Sequence, residues 1–269
     1  GHVHLESAMA CPAEYAKVAA AHGTSAAVID PHEVANVAGT DGLAYILEAT
    51  ENLPISVYVM LPSCVPASPL EWGGARLMAA DLAPFLGHPR VLGLGEVMNF
   101  PGVLGGAPEV MAKLRLAQGQ GAGGGMHLRI DGHSPGLSGP DLQGYIAAGI
   151  SSDHECSTLA EARERLALGM AVMLREGTAT HNLLELLPAV TEHTAPLCML
   201  ATDDIHLGDL IREGHINYLV RLAVKDGRVP LPTILKMASL NPARHYDLRG
   251  LGAIAPGYGA NFALYSDLE

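Results

Sequence analysis

The chain has 269 residues, 49% hydrophobic and 16% charged, a globular composition far from that of a disordered chain. Sixteen basic against 28 acidic residues leave a net charge of −12, which argues against nucleic acid as a partner. Four cysteines without C-x-x-C spacing argue against a disulfide framework and fit a reduced, cytoplasmic setting, and no run of about 18 apolar residues marks a membrane span.

The opening "HVHL" reads as the tail of a first strand. "GTSAAVIDPHE" reads as a second, followed by a helix over "VANVAGTDGLAYILEATEN" that closes at Asn52. "PISVYVMLPSC" and "RVLGLGEVMN" are the next β runs, each ended by Pro or Gly punctuation. The glycine-rich "AQGQGAGGG" (117–125) precedes a strand rather than a helix, so it reads as a flexible surface loop and not as a phosphate cradle. "MHLRIDGHSPG", "AGISSDHEC", "GMAVMLREGT" and "APLCMLATDD" continue the strands. Helical patterns lie between them in "SGPDLQGYIAAG", "TLAEARERLALG" and "THNLLELLPAVTEH", with Ser or Thr at the start and often Gly at the end.

Counting "HVHL", eight strands alternate with helices, which predicts a closed parallel (β/α)8 barrel of the TIM type, truncated at strand one. A doubly wound open sheet is the alternative; it lacks the G-x-G-x-x-G expected after an early strand. The barrel is assigned to residues 1–240. Residues 241–269 are expected as a tail leading toward a small β-sandwich module that is mostly absent, and within it "LRGLGAIAPGYGANFALYSDLE" turns β-like after the last helices, with Phe262 and Leu264 alternating.

A barrel of this kind builds its site from the C-terminal ends of its strands. Strand one ends in His2 and His4, which share a face because alternate strand residues do. Strand four ends in Glu96, strand five in His133, strand six in His154 and strand eight in Asp203. A lone strand-end histidine or carboxylate is usually structural, but six at the same end of five strands point to metal. Four imidazoles and two carboxylates suit Zn, Mn or Fe(II). They exceed one tetrahedral zinc with an open position, so two ions sharing Glu96 would use them all. A bound ion brings water toward ionisation at neutral pH, and Asp203 could accept its proton. The same alternation turns Asp204 outward and gives Glu155 a supporting or loop role. Asp30, His32 and Glu33 close strand two near the mouth, as substrate contacts or as supports of a ligand histidine. Ser63 and Cys64, at the end of strand three, read as packing residues.

The H-x-H of strand one, the histidines of strands five and six and the strand-eight Asp resemble the amidohydrolase superfamily. More closely, "HVHLES", "DPHEVANV", "LPSCVPA", "GLGEVMNFPGV", "DGHSPGLSG", "GISSDHEC", "MLREGTATHN" and "TDDIHLGDLIREGHI" resemble the bacterial adenine deaminases along almost the whole chain. That resemblance implies hydrolysis of adenine to hypoxanthine and ammonia, by a metal-bridged hydroxide attacking C6. It implies a binuclear centre of divalent ions, Mn or Fe favoured and Zn possible. His2, His4 and Asp203 would hold one ion, His133 and His154 the other, and Glu96 would bridge, with Glu96 or Asp203 moving protons. The partner is then a small molecule, adenine, in a homo-oligomeric cytoplasmic enzyme of purine salvage. The rival readings are another amidohydrolase acting on a different cyclic amidine or amide, and a non-catalytic metal-binding barrel.

Overall fold

A computed structural model describes residues 1–68, 70–119 and 128–264 of the chain. The glycine-rich stretch lies, from residue 120 to its end, outside the described residues. The strands are β1 (His2–His4), β2 (Ala26–Ile29), β3 (Ser56–Leu61), β4 (Val91–Val97), β5 (Arg129–Gly132), β6 (Ser152–Asp153), β7 (Ala171–Arg175), β8 (Cys198–Ala201) and β9 (Asp203–Asp204). Each expected β run therefore holds a strand, and the last is split at Thr202.

All ladders are parallel. Six strands follow the order β5-β4-β3-β2-β1-β9 and three follow β6-β7-β8. The two sheets meet at both ends. Ala201 and Asp203 belong to one continuous chain segment, and Ser151 N–H donates to the Ile130 carbonyl at 2.9 Å. Val28 and Met60 from one sheet and Ala171, Met173, Met199 and Ala201 from the other form a single buried cluster with Tyr246. Their strand neighbours Ile29, Val59, Val172 and Leu174 face the opposite way, into clusters shared with the helices. This is the period of two that strands impose. With few aromatics available, methionines fill the interior, where flexible thioethers close irregular gaps.

Helices follow most strands, among them Pro12–Ala21, His32–Ala49, Pro108–Ala117, Gly139–Ala147 and Leu159–Ala167. The helical pattern over 180–193 yields only a short helix, Leu183–Leu186, and a 3-10 turn, Leu187–Ala189. Pro188 accounts for the break, since it has no N–H to donate and crowds the preceding turn. The helix Leu240–His245 packs on the strands. Asn241 Nδ2 donates to the carbonyls of Ala195 and Cys198 at 2.7 and 2.8 Å, and Tyr246 OH donates to Asp131 at 2.7 Å. Among the described residues of the tail no strand forms. Residues 247–264 form turns and open chain, and Phe262 and Leu264 are exposed. A strand needs a ladder partner, and none of the described strands lies beside this segment.

Candidate metal centre

His2 and His4 project from β1 on the same side, and their Nε2 atoms stand 3.0 Å apart. His4 Nδ1 lies 2.9 Å from the Asp30 carbonyl, which can only accept, so Nδ1 carries a proton there. In the neutral ring Nε2 then presents a lone pair. Around it sit Glu96 Oε1 at 3.1 Å and Asp203 Oδ1 at 3.2 Å. Lone pairs gathered this closely call for protons or a cation between them. The donor set and its burial fit a divalent ion.

Glu96 occupies the centre. Its Oε1 faces His4 and, at 3.3 Å, His32 Nδ1; its Oε2 faces His133 Nδ1 at 2.6 Å and His154 Nε2 at 3.2 Å. The β4–β5 register shifts between Leu94 and Val97, and such irregularities re-aim the side chains within them. Asp30 Oδ2 accepts the Glu96 N–H at 2.8 Å. Gly95 allows that approach: a Cβ there would lie 2.0 Å from the same oxygen. Ser63 Oγ donates to the Glu96 carbonyl, and Lys113 Nζ to the Ser63 carbonyl at 2.7 Å. Ser63 is therefore more than packing.

His133 N–H donates to Tyr145 OH at 3.0 Å, and that hydroxyl donates to Val97 at 2.8 Å. The His154 ring stacks on His2 with centroids 4.2 Å apart. Asp153, next to His154 in the chain, accepts from Arg165, which also donates to the Ser134 carbonyl, in a fully buried pair. Asp203 has φ of +58°, a left-handed conformation that Asp tolerates better than most residues and that recurs at functional sites.

Electrostatically the cluster is built to hold positive charge. Burial opposes the ionised form of Glu96, yet His133, His154 and His4 hold its carboxyl well below the usual range. Burial likewise opposes ionised Asp203, and hydrogen bonds from His2 and His4 overcome it, leaving the carboxyl far below that range. Desolvation disfavours charged His4, His32 and His154, but facing carboxylates win. His4 stands well above its ordinary value, and His32 and His154 at about 9. His2 goes down, through burial and the neighbouring His154.

Four donor groups could each take an ion: His2, His4 and Asp203; His2, Glu96 and His154; His4, His32 and Glu96; His133, His154 and Glu155. All six expected ligands are thus brought together. Of the three residues closing β2, Asp30 and His32 join the cluster, whereas Glu33 is exposed, with Ser7 Oγ at 3.5 Å from it. Asp204 turns to Ser7, away from the histidines. Glu155, expected in a supporting or loop role, lies beside the cluster. The strand ends at Asp153, so alternation no longer applies, and Glu155 Oε1 faces His133 at 3.5 Å and His154 at 3.4 Å. Arg175 was not foreseen. Its Nη1 donates to Glu155 Oε1 and to Asp203 Oδ2, both at 2.6 Å. The signal was a cation at the end of β7, in "MLREG", where other strands end in imidazoles or acids.

The family model described as "Amidohydrolase family" matches residues 1–267. The chain is 55% identical to adenine deaminase 2 of Carboxydothermus hydrogenoformans, matching 100% of this chain and 46% of that protein. It is 52% identical to the adenine deaminase of Syntrophobacter fumaroxidans and 48% identical to that of Kosmotoga olearia, again along 100% of this chain and 45% of each relative. The chain thus spans a little under half the length of these curated relatives.

Proposed function

This chain belongs to the amidohydrolase family, and from that premise we propose that it forms the metal-binding barrel of an enzyme that hydrolyses adenine to hypoxanthine and ammonia. The observation that carries the proposal is the convergence of His2, His4, Glu96, His133, His154 and Asp203 at one end of the strands. The relatives named adenine deaminase supply the substrate. We read the two sheets as one closed (β/α)8 barrel, supported by the shared interior cluster and the hydrogen bond from Ser151 to Ile130.

In this reading His2, His4 and Asp203 would hold one divalent ion and His133 and His154 a second, with Glu96 serving both, and Mn or Fe(II) would be preferred. Bound, such ions supply a nucleophilic water at neutral pH. The chain's own residues do the rest. Asp30 fixes the Glu96 backbone and, through the His4 Nδ1 contact, the tautomer that aims Nε2 inward. Asp203 Oδ2 is held by Arg175, so Oδ1, which faces His2 and His4, is the oxygen turned into the centre and the one that would take a proton and pass it to the departing amine. His32 stands beside Glu96 Oε1, placed to donate to a purine ring nitrogen.

The test is ammonia release from adenine by the protein that carries this chain, loaded with Mn(II), against a chelated control. Metal-dependent release with hypoxanthine as product is expected. Faster turnover of guanine, cytosine or a lactam would overturn the substrate and keep the centre.

A further inference from the structure

Arg175 sits between the two halves of the cluster, and it touches neither as a metal ligand would. One guanidinium nitrogen, Nη1, reaches Asp203 Oδ2 and Glu155 Oε1, and Nη2 reaches Glu155 Oε2 at 3.3 Å. Both Glu155 oxygens are therefore engaged by one cation. Yet Glu155 Oε1 is also within 3.5 Å of ring nitrogens of His133 and His154, and those three residues form a group able to hold an ion. Two cations would compete for this carboxylate: a fixed one, always charged, and any metal bound at that group.

Resting on the two-metal reading above, we propose that Arg175 is a positioning residue that keeps Glu155 off the second metal position. His133, His154 and Glu96 then hold that ion with coordination left open for water and substrate. A catalytic ion needs such an opening, while a structural one is closed by protein ligands. A bidentate guanidinium–carboxylate pair is strong and directional, and it is largely shielded here, with the Arg175 side chain 4% and the Glu155 side chain 17% exposed. Removing Arg175 would strand two carboxylates close to the ions. A half-buried carboxylate deprived of its partner is left with part of its desolvation uncompensated, and the cation then nearest to Glu155 would be the metal. The open position would close.

This role has a sign that separates it from ordinary support. Removing a residue that merely orients ligands weakens metal binding by about 10- to 100-fold. Loss of Arg175 should instead tighten the second ion, by about tenfold if one carboxylate joins it and the effect has the size of those partner losses. Arg175→Met, Glu155→Gln and the double variant would be loaded with Mn(II), and release of each ion followed against a chelator. Arg175→Met is expected to hold one ion more tightly than the unaltered protein and to turn over more slowly. The double variant is expected to return that ion to its ordinary affinity. Glu155→Gln alone is expected to keep two ions.

Weaker binding in Arg175→Met that the double variant does not restore would overturn the proposal while leaving the two-metal centre standing. So would loss of an ion from Glu155→Gln, which would make Glu155 a ligand already. That variant also decides the matter if Arg175→Met does not fold. An unaltered protein that binds no metal overturns both the centre and this inference.

Discussion

His154 and His215 are both buried imidazoles, but Glu96, Glu155 and Asp203 surround the first, while Tyr15 and Thr24 flank the second. Tyr15 OH lies 3.1 Å from His215 Nε2, and Thr24 Oγ1 lies 2.6 Å from Nδ1. Burial pushes His215 down to about 3, aided by His22. At the mouth the same burial penalty is outweighed, and His154 stands at about 9. Burial alone makes an imidazole neutral; carboxylates make the place cationic. Counting histidines therefore does not find a site in this chain, which has 13 of them. Finding imidazoles that share carboxylates does.

The strongest way to break the contrast is to remove the central carboxylate. Glu96→Gln keeps the shape but leaves His4, His32, His133 and His154 without their shared anion. Even partners one step removed from a metal cost about 10- to 100-fold in affinity when lost. Metal retention should therefore fall by more than about 100-fold, and adenine turnover with it. Metal content after dialysis measures this, and a variant that keeps two ions would remove Glu96 from the centre.

The His215 side of the contrast shows itself in acid. Its folded value of about 3 lies below the ordinary 6.5. The unfolded chain therefore takes up the proton first as pH falls. The stability tied to neutral His215 is complete above pH 6.5 and drains as pH drops toward 3. At pH 5 the loss is about 2 kcal/mol. Urea midpoints at pH 7 and pH 5, compared with those of His215→Asn, isolate this share. An equal pH dependence in the two proteins would contradict it.

Much of this was legible in the sequence, because strand ends repeat one simple rule. The β runs, the H-x-H and the strand-end Glu96, His133, His154 and Asp203 are local patterns, and the fold brings them together as expected. What escaped depended on where strands stop and on pairs distant in sequence. Glu155 reads as a supporting or loop residue, and which partners it meets depends on β6 ending at Asp153. Arg175 acquires meaning only beside Asp203, 28 residues on, and Glu155, 20 residues back. Ser63 reads as packing until its hydroxyl is seen to hold the Glu96 carbonyl. The broken helix at Pro188 was readable, since proline inside an apolar helical pattern predicts a stop. The tail was not: alternation at Phe262 and Leu264 marks a strand only if another strand lies alongside.

The contrast is sharpened most finely by giving His215 what His154 has. Thr24→Asp places a carboxylate where a hydroxyl now meets Nδ1 at 2.6 Å. An opposite charge within about 4–6 Å favours the charged ring, and the titration of His215 should move up by about one pH unit or more. Stability barely registers the change. Raising the folded value from about 3 to about 4 alters the balance at pH 5 by less than about 0.1 kcal/mol, because both values lie well below that pH. The imidazole proton resonances of His215, followed from pH 7 to pH 3, are the readout that sees it. A midpoint that stays at about 3 would mean that burial, and not the absence of a carboxylate, sets the ring's charge. The mouth would then owe its cationic character to the number of its carboxylates acting together, since no single one could reverse the penalty.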